Sequence, residues 1–132
     1  INHKRIDYVL IHDAARPNVS IKLIKQIKKE ILTGKYDAVV PYIKIEDTIK
    51  QIKDRSRFKT IDRKKLIVTQ TPQAFKTFSL QQNINKIPST ITDDVQSIEN
   101  RRSAKIKYIF GEKSNLKITT KSDLELFKSY LN

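Results

Sequence analysis

The spacing of apolar positions changes along the chain, and each change marks an element. Tyr8-Val9-Leu10-Ile11 is an unbroken apolar run that stops at His12 and Asp13. A run of that kind predicts a strand buried on both faces of a parallel sheet. From Ser20, a candidate helix cap, the apolar residues Leu23, Ile24, Ile27, Ile31 and Leu32 recur at helical spacing with lysines opposite, and Gly34 ends the pattern. Residues 38–43, Ala-Val-Val-Pro-Tyr-Ile, predict a second strand. The opening therefore reads as strand, helix, strand, with the length of a right-handed parallel crossover that places both strands in one sheet.

From about 44 to 68 the pattern differs. Charged and β-prone residues alternate through residues 47–53, a basic turn follows at 54–57, and residues 59–63 resume the alternation. This predicts a two-stranded arm with too little apolar surface to stand alone, hence one that packs on a partner. Thr71-Pro72-Gln73 demands extended or turn geometry, because the residue before proline is kept out of the helical region. A weak helix is predicted over 76–86. Thr92 before Asp93 and Asp94 reads as a capped helix start with acids in its first turn. Residues 106–110 predict a strand and residues 116–119 a shorter one. Thr120 with Asp123 reads as a capping box for a last helix that buries Leu124, Phe127 and Leu131.

Composition narrows the class. With 132 residues the chain is one domain or part of one. It begins at Ile1 and contains no methionine, which reads as a carboxy-terminal portion of a longer protein. The absence of cysteine excludes disulfides, thiolate metal sites and cysteine nucleophiles. Neither a membrane-spanning run nor a signal peptide pattern occurs, so the expectation is a cytoplasmic protein without membrane contact. The net charge of +13 raises the alternative of a noncatalytic module that binds RNA or another polyanion. Against it, lysines occur in nearly every segment and no arginine–aromatic stripe forms, so solvated lysine faces and no nucleic-acid partner are expected.

Candidate chemistry gathers at the end of the first strand. Ligands of open α/β sheets collect beyond the carboxyl ends of strands. Asp13 supplies hard oxygen ligands there and Arg16 a phosphate fork. On the residues alone, Asp13 is also a turn-capping acid with Arg16 as its salt-bridge partner. His12 reads as a packed strand-end residue rather than a base.

Five motifs then fall in order: His12-Asp13-Ala14-Ala15-Arg16-Pro17, Asp47-Thr48-Ile49-Lys50, Gln70-Thr71-Pro72-Gln73, Thr92-Asp93-Asp94 and Asn115-Leu116-Lys117-Ile118-Thr119. In content and spacing they resemble the 2-C-methyl-D-erythritol 4-phosphate cytidylyltransferase family over nearly the whole chain. The resemblance implies an α/β nucleotidyltransferase-type (Rossmann-like), mostly parallel sheet with its amino-terminal part missing and a protruding β-arm used for homodimerisation. It implies cytidylyl transfer from CTP to methylerythritol phosphate with release of pyrophosphate and a need for Mg2+. A ribitol 5-phosphate cytidylyltransferase is the nearest alternative within that chemistry.

Residue by residue, the resemblance assigns Asp13 to magnesium and, with Ala14, to the nucleotide. Arg16, Thr71 and Thr92 fall to the alcohol phosphate, as do Thr48 and Arg63 reaching in from a neighbouring subunit, with Arg63 also counted as catalytic. Lys117 matches the active-site lysine that neutralises phosphate charge and touches the nucleotide. Asp93 and Asp94 serve the helix start, with a contribution to the substrate hydroxyl region. Plain structural readings stand beside these: Arg63 as one of many arm cations, Lys117 as an edge-strand lysine snorkelling to solvent, and both threonines as ordinary turn and cap residues. The family's glycine-rich phosphate loop has no counterpart here, since Gly34 and Gly111 are the only glycines.

Overall fold

The computed structural model describes residues 6–84 and 92–131. Strand β1 (Tyr8–Ile11) leads to helix α1 (Ile21–Ile31) and strand β2 (Ala38–Lys44). Ser20 caps α1 by accepting the Leu23 N–H at 3.0 Å, two lysines occupy its last turn, and Gly34 reverses the chain at φ +71°. The arm is a hairpin of β3 (Ile49–Ile52) and β4 (Phe58–Ile61), whose turn is held by Asp54 through Ser56 and Arg57. A turn of 3-10 helix at Arg63–Lys65 returns the chain to β5 (Ile67–Thr69) and β6 (Gln73–Lys76). Helix α2 (Thr77–Ile84), helix α3 (Gln96–Glu99), strand β7 (Ile106–Phe110) and helix α4 (Lys121–Ser129) complete the series. Part of the helix expected over 76–86 lies outside the described residues.

The sheet is mixed, and this refines the mostly parallel expectation. β1 and β2 run in the same direction, but β6 lies between them and pairs antiparallel with both. β7 is the strand that pairs parallel with β2, covering one edge from Ala38 to Tyr42. β6 and β5 therefore share the other edge, as one strand broken at residues 70–72. The arm explains the antiparallel share, because a chain that leaves along β2 and comes back must run against it. Pro41 sits opposite the break: its carbonyl accepts the Gln70 N–H at 2.8 Å, so its missing N–H also faces the interruption and costs no ladder bond. Residues 67–68, expected within the arm, belong to the main sheet.

Alternation along β2 divides the core. On one face Val39, Ala74 and Ile109 pack against Leu23, Ile27 and Ile31 of α1. The other places Ala38, Val40 and Phe75 against Val95 and Ile98. Each fully buried aliphatic side chain stabilises the fold by about 1.5–3 kcal/mol.

Three expectations are corrected. β1 is a half-buried edge strand, with Leu10 43% exposed, because among the described residues only β6 pairs with it. Residues 116–119 form no ladder; the single backbone bond from Ile118 N–H to the Ala15 carbonyl at 2.8 Å is too little for a strand. The capping box of α4 is present, yet Leu124 and Leu131 are exposed, and among the described residues no side chain of α4 is buried.

Candidate functional site

The end of β1 is tied into a turn by the Arg16 N–H bonding to the Asp13 carbonyl at 3.0 Å. This turn aims the Asp13 carboxylate and the Arg16 guanidinium at the same point, with Nε 3.4 Å from Oδ2. From the far end of the sequence, Lys117 brings Nζ to 3.2 Å from the same oxygen. Two cations thus converge on one acid. Arg16 is the more fixed, since its Nη1 donates to the Asn115 carbonyl at 2.8 Å, whereas Lys117 is about half exposed.

Thr71 locks the strand end from the side. Its Oγ1 accepts the Asp13 N–H at 2.9 Å and lies 2.9 Å from His12 Nδ1. The His12 Nε2 faces the Arg16 carbonyl at 3.0 Å, and a carbonyl only accepts, so Nε2 carries the proton. In the neutral ring Nδ1 is then an acceptor for the Thr71 hydroxyl. His12, expected to be packed, is exposed, but both ring nitrogens are engaged, which fits a tether better than a base.

A polar pocket of about 80 Å³ opens here, lined by Asp13, Arg16, Thr71, Thr92 and Lys117 together with Thr69, Gln70, Gln73, Asp93 and Asp94. Thr92 does not cap α3: its own N–H bonds to Gln96 Oε1 at 3.1 Å, and α3 has no side-chain cap. Asp93 does not serve the helix start with its carboxylate either. That group accepts from the Thr69 hydroxyl at 2.6 Å and from the buried Gln73 carboxamide. A short helix beginning at Gln96 leaves these residues as a loop folded over the sheet end. Burial, with the nearby charges of Asp93 and Asp13, raises the pKa of Asp94.

Arg63 and Thr48 stand apart. Arg63 donates to the Glu46 carbonyl and lines a separate cavity of about 380 Å³ with Tyr42, Lys44 and Leu66, while Thr48 is exposed at the base of the arm. Neither reaches the Asp13 pocket within this chain. Ala14 lies exposed on the strand-end turn, where its small side chain leaves the backbone open.

The buried amides Gln70 and Asn115, like Gln73, were missed by sequence reasoning. Gln70 is 3% exposed and Asn115 fully buried, and between them they bond to residues 71, 112 and 115. Both stand within the five motifs, and the available signal is their type: an uncharged amide in so charged a chain suits a buried position that needs both a donor and an acceptor.

Among the described residues no group of three or more potential metal ligands occurs. Mg2+ commonly takes one or two carboxylates, completing its shell with phosphate oxygens and water. Asp13, about a third exposed at the pocket mouth, fits that use.

A family model described as IspD, 2-C-methyl-D-erythritol 4-phosphate cytidylyltransferase, matches residues 1–132. The chain is 41% identical over 123 residues to the 2-C-methyl-D-erythritol 4-phosphate cytidylyltransferase of Dictyoglomus thermophilum, covering 89% of this chain and 52% of that protein. It is also 41% identical over 128 residues to the bifunctional enzyme IspD/IspF of Pelagibacter ubique, covering 95% of this chain and 33% of that protein. Among solved structures, the Francisella tularensis IspD superposes with a TM-score of 0.83 at 29% identity, covering 98% of this chain and 62% of that one. The chain thus spans about half, or less, of the curated relatives it matches.

Proposed function

Because the chain belongs to the 2-C-methyl-D-erythritol 4-phosphate cytidylyltransferase family, we propose that its strand-end pocket serves cytidylyl transfer from CTP to methylerythritol phosphate. The observation that carries this reading is the convergence of Arg16 and Lys117 on Asp13 beside a pocket rimmed by Thr71 and Thr92. A phosphate monoester, whose second ionisation lies near pH 6, is already a dianionic nucleophile at neutral pH. An oxygen of that phosphate attacks the α-phosphorus of CTP; the new P–O bond forms as the bond to the β-phosphate breaks, and pyrophosphate leaves with its electron pair.

No side-chain base is needed, so the protein's task is alignment and charge neutralisation. Arg16, anchored on the Asn115 carbonyl, holds a phosphate in place. Lys117, less confined, follows the charge that grows on the phosphates. Asp13 would hold magnesium, which when bound neutralises triphosphate charge, and with Ala14 it meets the nucleotide. Thr71 and Thr92 flank the alcohol phosphate.

Thr48 and Arg63 act in this reading on a partner's pocket, in a homodimer built through the arm. Ile52 and Phe58, 71% and 58% exposed on the hairpin, suit a surface covered by another subunit. No helix among the described residues is long and apolar enough to cross a membrane, and the proposed setting is the cytoplasm.

Turnover by the full-length protein tests the assignment. Pyrophosphate release from CTP is measured with methylerythritol phosphate and with ribitol 5-phosphate at equal concentrations. Faster, Mg2+-dependent turnover of methylerythritol phosphate is expected; preference for ribitol phosphate would transfer the assignment to that substrate.

A further inference from the structure

Lys117 reaches Asp13 from a segment with almost no regular structure. Between the end of β7 and the start of α4, one backbone bond, from Ile118 to Ala15, ties the chain near Lys117 to the strand end. Further contacts fix this segment: the Gly111 N–H donates to the Tyr42 carbonyl at 2.7 Å, Asn18 Nδ2 to the Ser114 carbonyl at 3.1 Å and Ser20 Oγ to Glu112 Oε1 at 2.7 Å, and Gln70 adds the largest set. The Gln70 carboxamide, buried at the break between β5 and β6, grips the loop with three hydrogen bonds. Its Nε2 donates to the carbonyls of Glu112 at 2.8 Å and Asn115 at 3.2 Å, and its Oε1 accepts the Glu112 N–H at 3.0 Å.

The grip is continuous with the pocket on two sides. The Asn115 carbonyl that Gln70 holds also receives Arg16 Nη1 at 2.8 Å, and Asn115 Nδ2 donates to the Thr71 carbonyl at 2.8 Å. Space is matched as well as bonding, because a Cβ at Gly111 would press into Gln70 Oε1. From the sheet side, the Gln70 N–H to the Pro41 carbonyl anchors the device in the core.

We infer that Gln70 is a positioning residue for the transfer reaction, acting through the 111–117 loop to hold Lys117, and with it the Arg16 anchor, at the reacting phosphates. This rests on the function proposed above. Gln70 engages both Nε2 hydrogens and one lone pair of Oε1 on the loop backbone, so its influence passes through Lys117 and Arg16. Displacing a charge-neutralising group by about 1 Å costs on the order of a hundredfold in rate.

A kinetic double-mutant cycle in the full-length protein separates positioning from mere folding. Gln70→Met keeps length and bulk but removes the bonds. It is expected to lower kcat by about ten- to a hundredfold in the otherwise native enzyme. In a Lys117→Ala background the same change is expected to cost clearly less, because one of the two groups it positions is gone and only the Arg16 anchor is left to disturb. Gly111→Ala displaces the same carboxamide from the other side, should show the same non-additivity, and serves if Gln70→Met does not fold. Equal losses in both backgrounds, or an unchanged kcat for the variant, would overturn the role of Gln70. A native protein that transfers no cytidylyl group would instead overturn the proposed function itself.

Discussion

Replacing Thr71 by valine tests the strand-end lock, because the change keeps the shape of the side chain and removes only its hydroxyl. Thr71 is 8% exposed, and Oγ1 is the acceptor for the Asp13 N–H and the partner of His12 Nδ1, both at 2.9 Å. A buried amide left without an acceptor costs about 1–3 kcal/mol, and the lost bond to the exposed His12 adds about 0.5–1.5 kcal/mol. The expected loss is therefore about 1.5–4.5 kcal/mol. Urea unfolding of the full-length protein, followed by tryptophan-independent far-ultraviolet circular dichroism, measures it as a shift in midpoint at constant slope. Thr71→Ser keeps the oxygen and loses one methyl, so it should cost only about 1 kcal/mol. The reasoning fails if valine costs less than about 0.5 kcal/mol, the ordinary scatter of harmless substitutions. It fails equally if serine is as damaging as valine, since the hydroxyl would then not be what matters.

Other outcomes follow from neighbouring contacts. Gly111→Ala should destabilise the fold by about 1–3 kcal/mol through the displaced Gln70 carboxamide, and Gln70→Ala should relieve most of that cost in a denaturation cycle; strictly additive losses would refute the contact. Asp123, bonded by the N–H and hydroxyl of Thr119 and by the Thr120 N–H, has its pKa lowered from 3.8 to about 2. A lowered carboxylate stabilises above its unfolded value and loses that contribution as pH falls. The start of α4 should thus fray between about pH 4 and 2, seen as faster amide exchange at its first turn, whereas Asp123→Asn should show no such acid step. Mixing Arg63→Ala with Lys117→Ala subunits should restore part of the activity lost in each if the arm serves the neighbouring pocket, and no recovery would place Arg63 in its own subunit's chemistry or outside it.

Local pattern made much of this molecule legible in advance. Helix α1 follows from Ser20, Gly34 and a stripe of aliphatic residues that supply cap, stop and buried face together. β7 was equally plain, having four β-prone residues out of five between loops. What local pattern could not reveal was competition for partners. Asp93 stands where an acid suits a helix start, but Thr69 and Gln73 offered its carboxylate closer bonds. The residues at 116–119 have strand-like alternation, but among the described residues no backbone pairs with them as a ladder. Leu124 and Leu131 have helical spacing, and α4 forms, but spacing says nothing of which surface a helix meets.

The site divided in the same way. Asp13, Arg16 and Lys117 could be named because charged groups at a strand end and in a recognisable motif announce chemistry. Gln70 and Asn115, which hold those groups in place, act through backbone atoms more than forty residues away in sequence, a relation no local window contains.

In the proposed function the Asp13 pocket performs cytidylyl transfer, with Lys117 neutralising phosphate charge. Its most direct test is single-turnover product analysis of the full-length protein with CTP, methylerythritol phosphate and Mg2+, comparing the native enzyme with Lys117→Ala. Diphosphocytidyl product and pyrophosphate are expected in equal amounts from the native enzyme, with a rate reduced at least about a hundredfold in a normally folded variant, as for loss of one transition-state charge partner. An unchanged rate in Lys117→Ala would contradict this assignment.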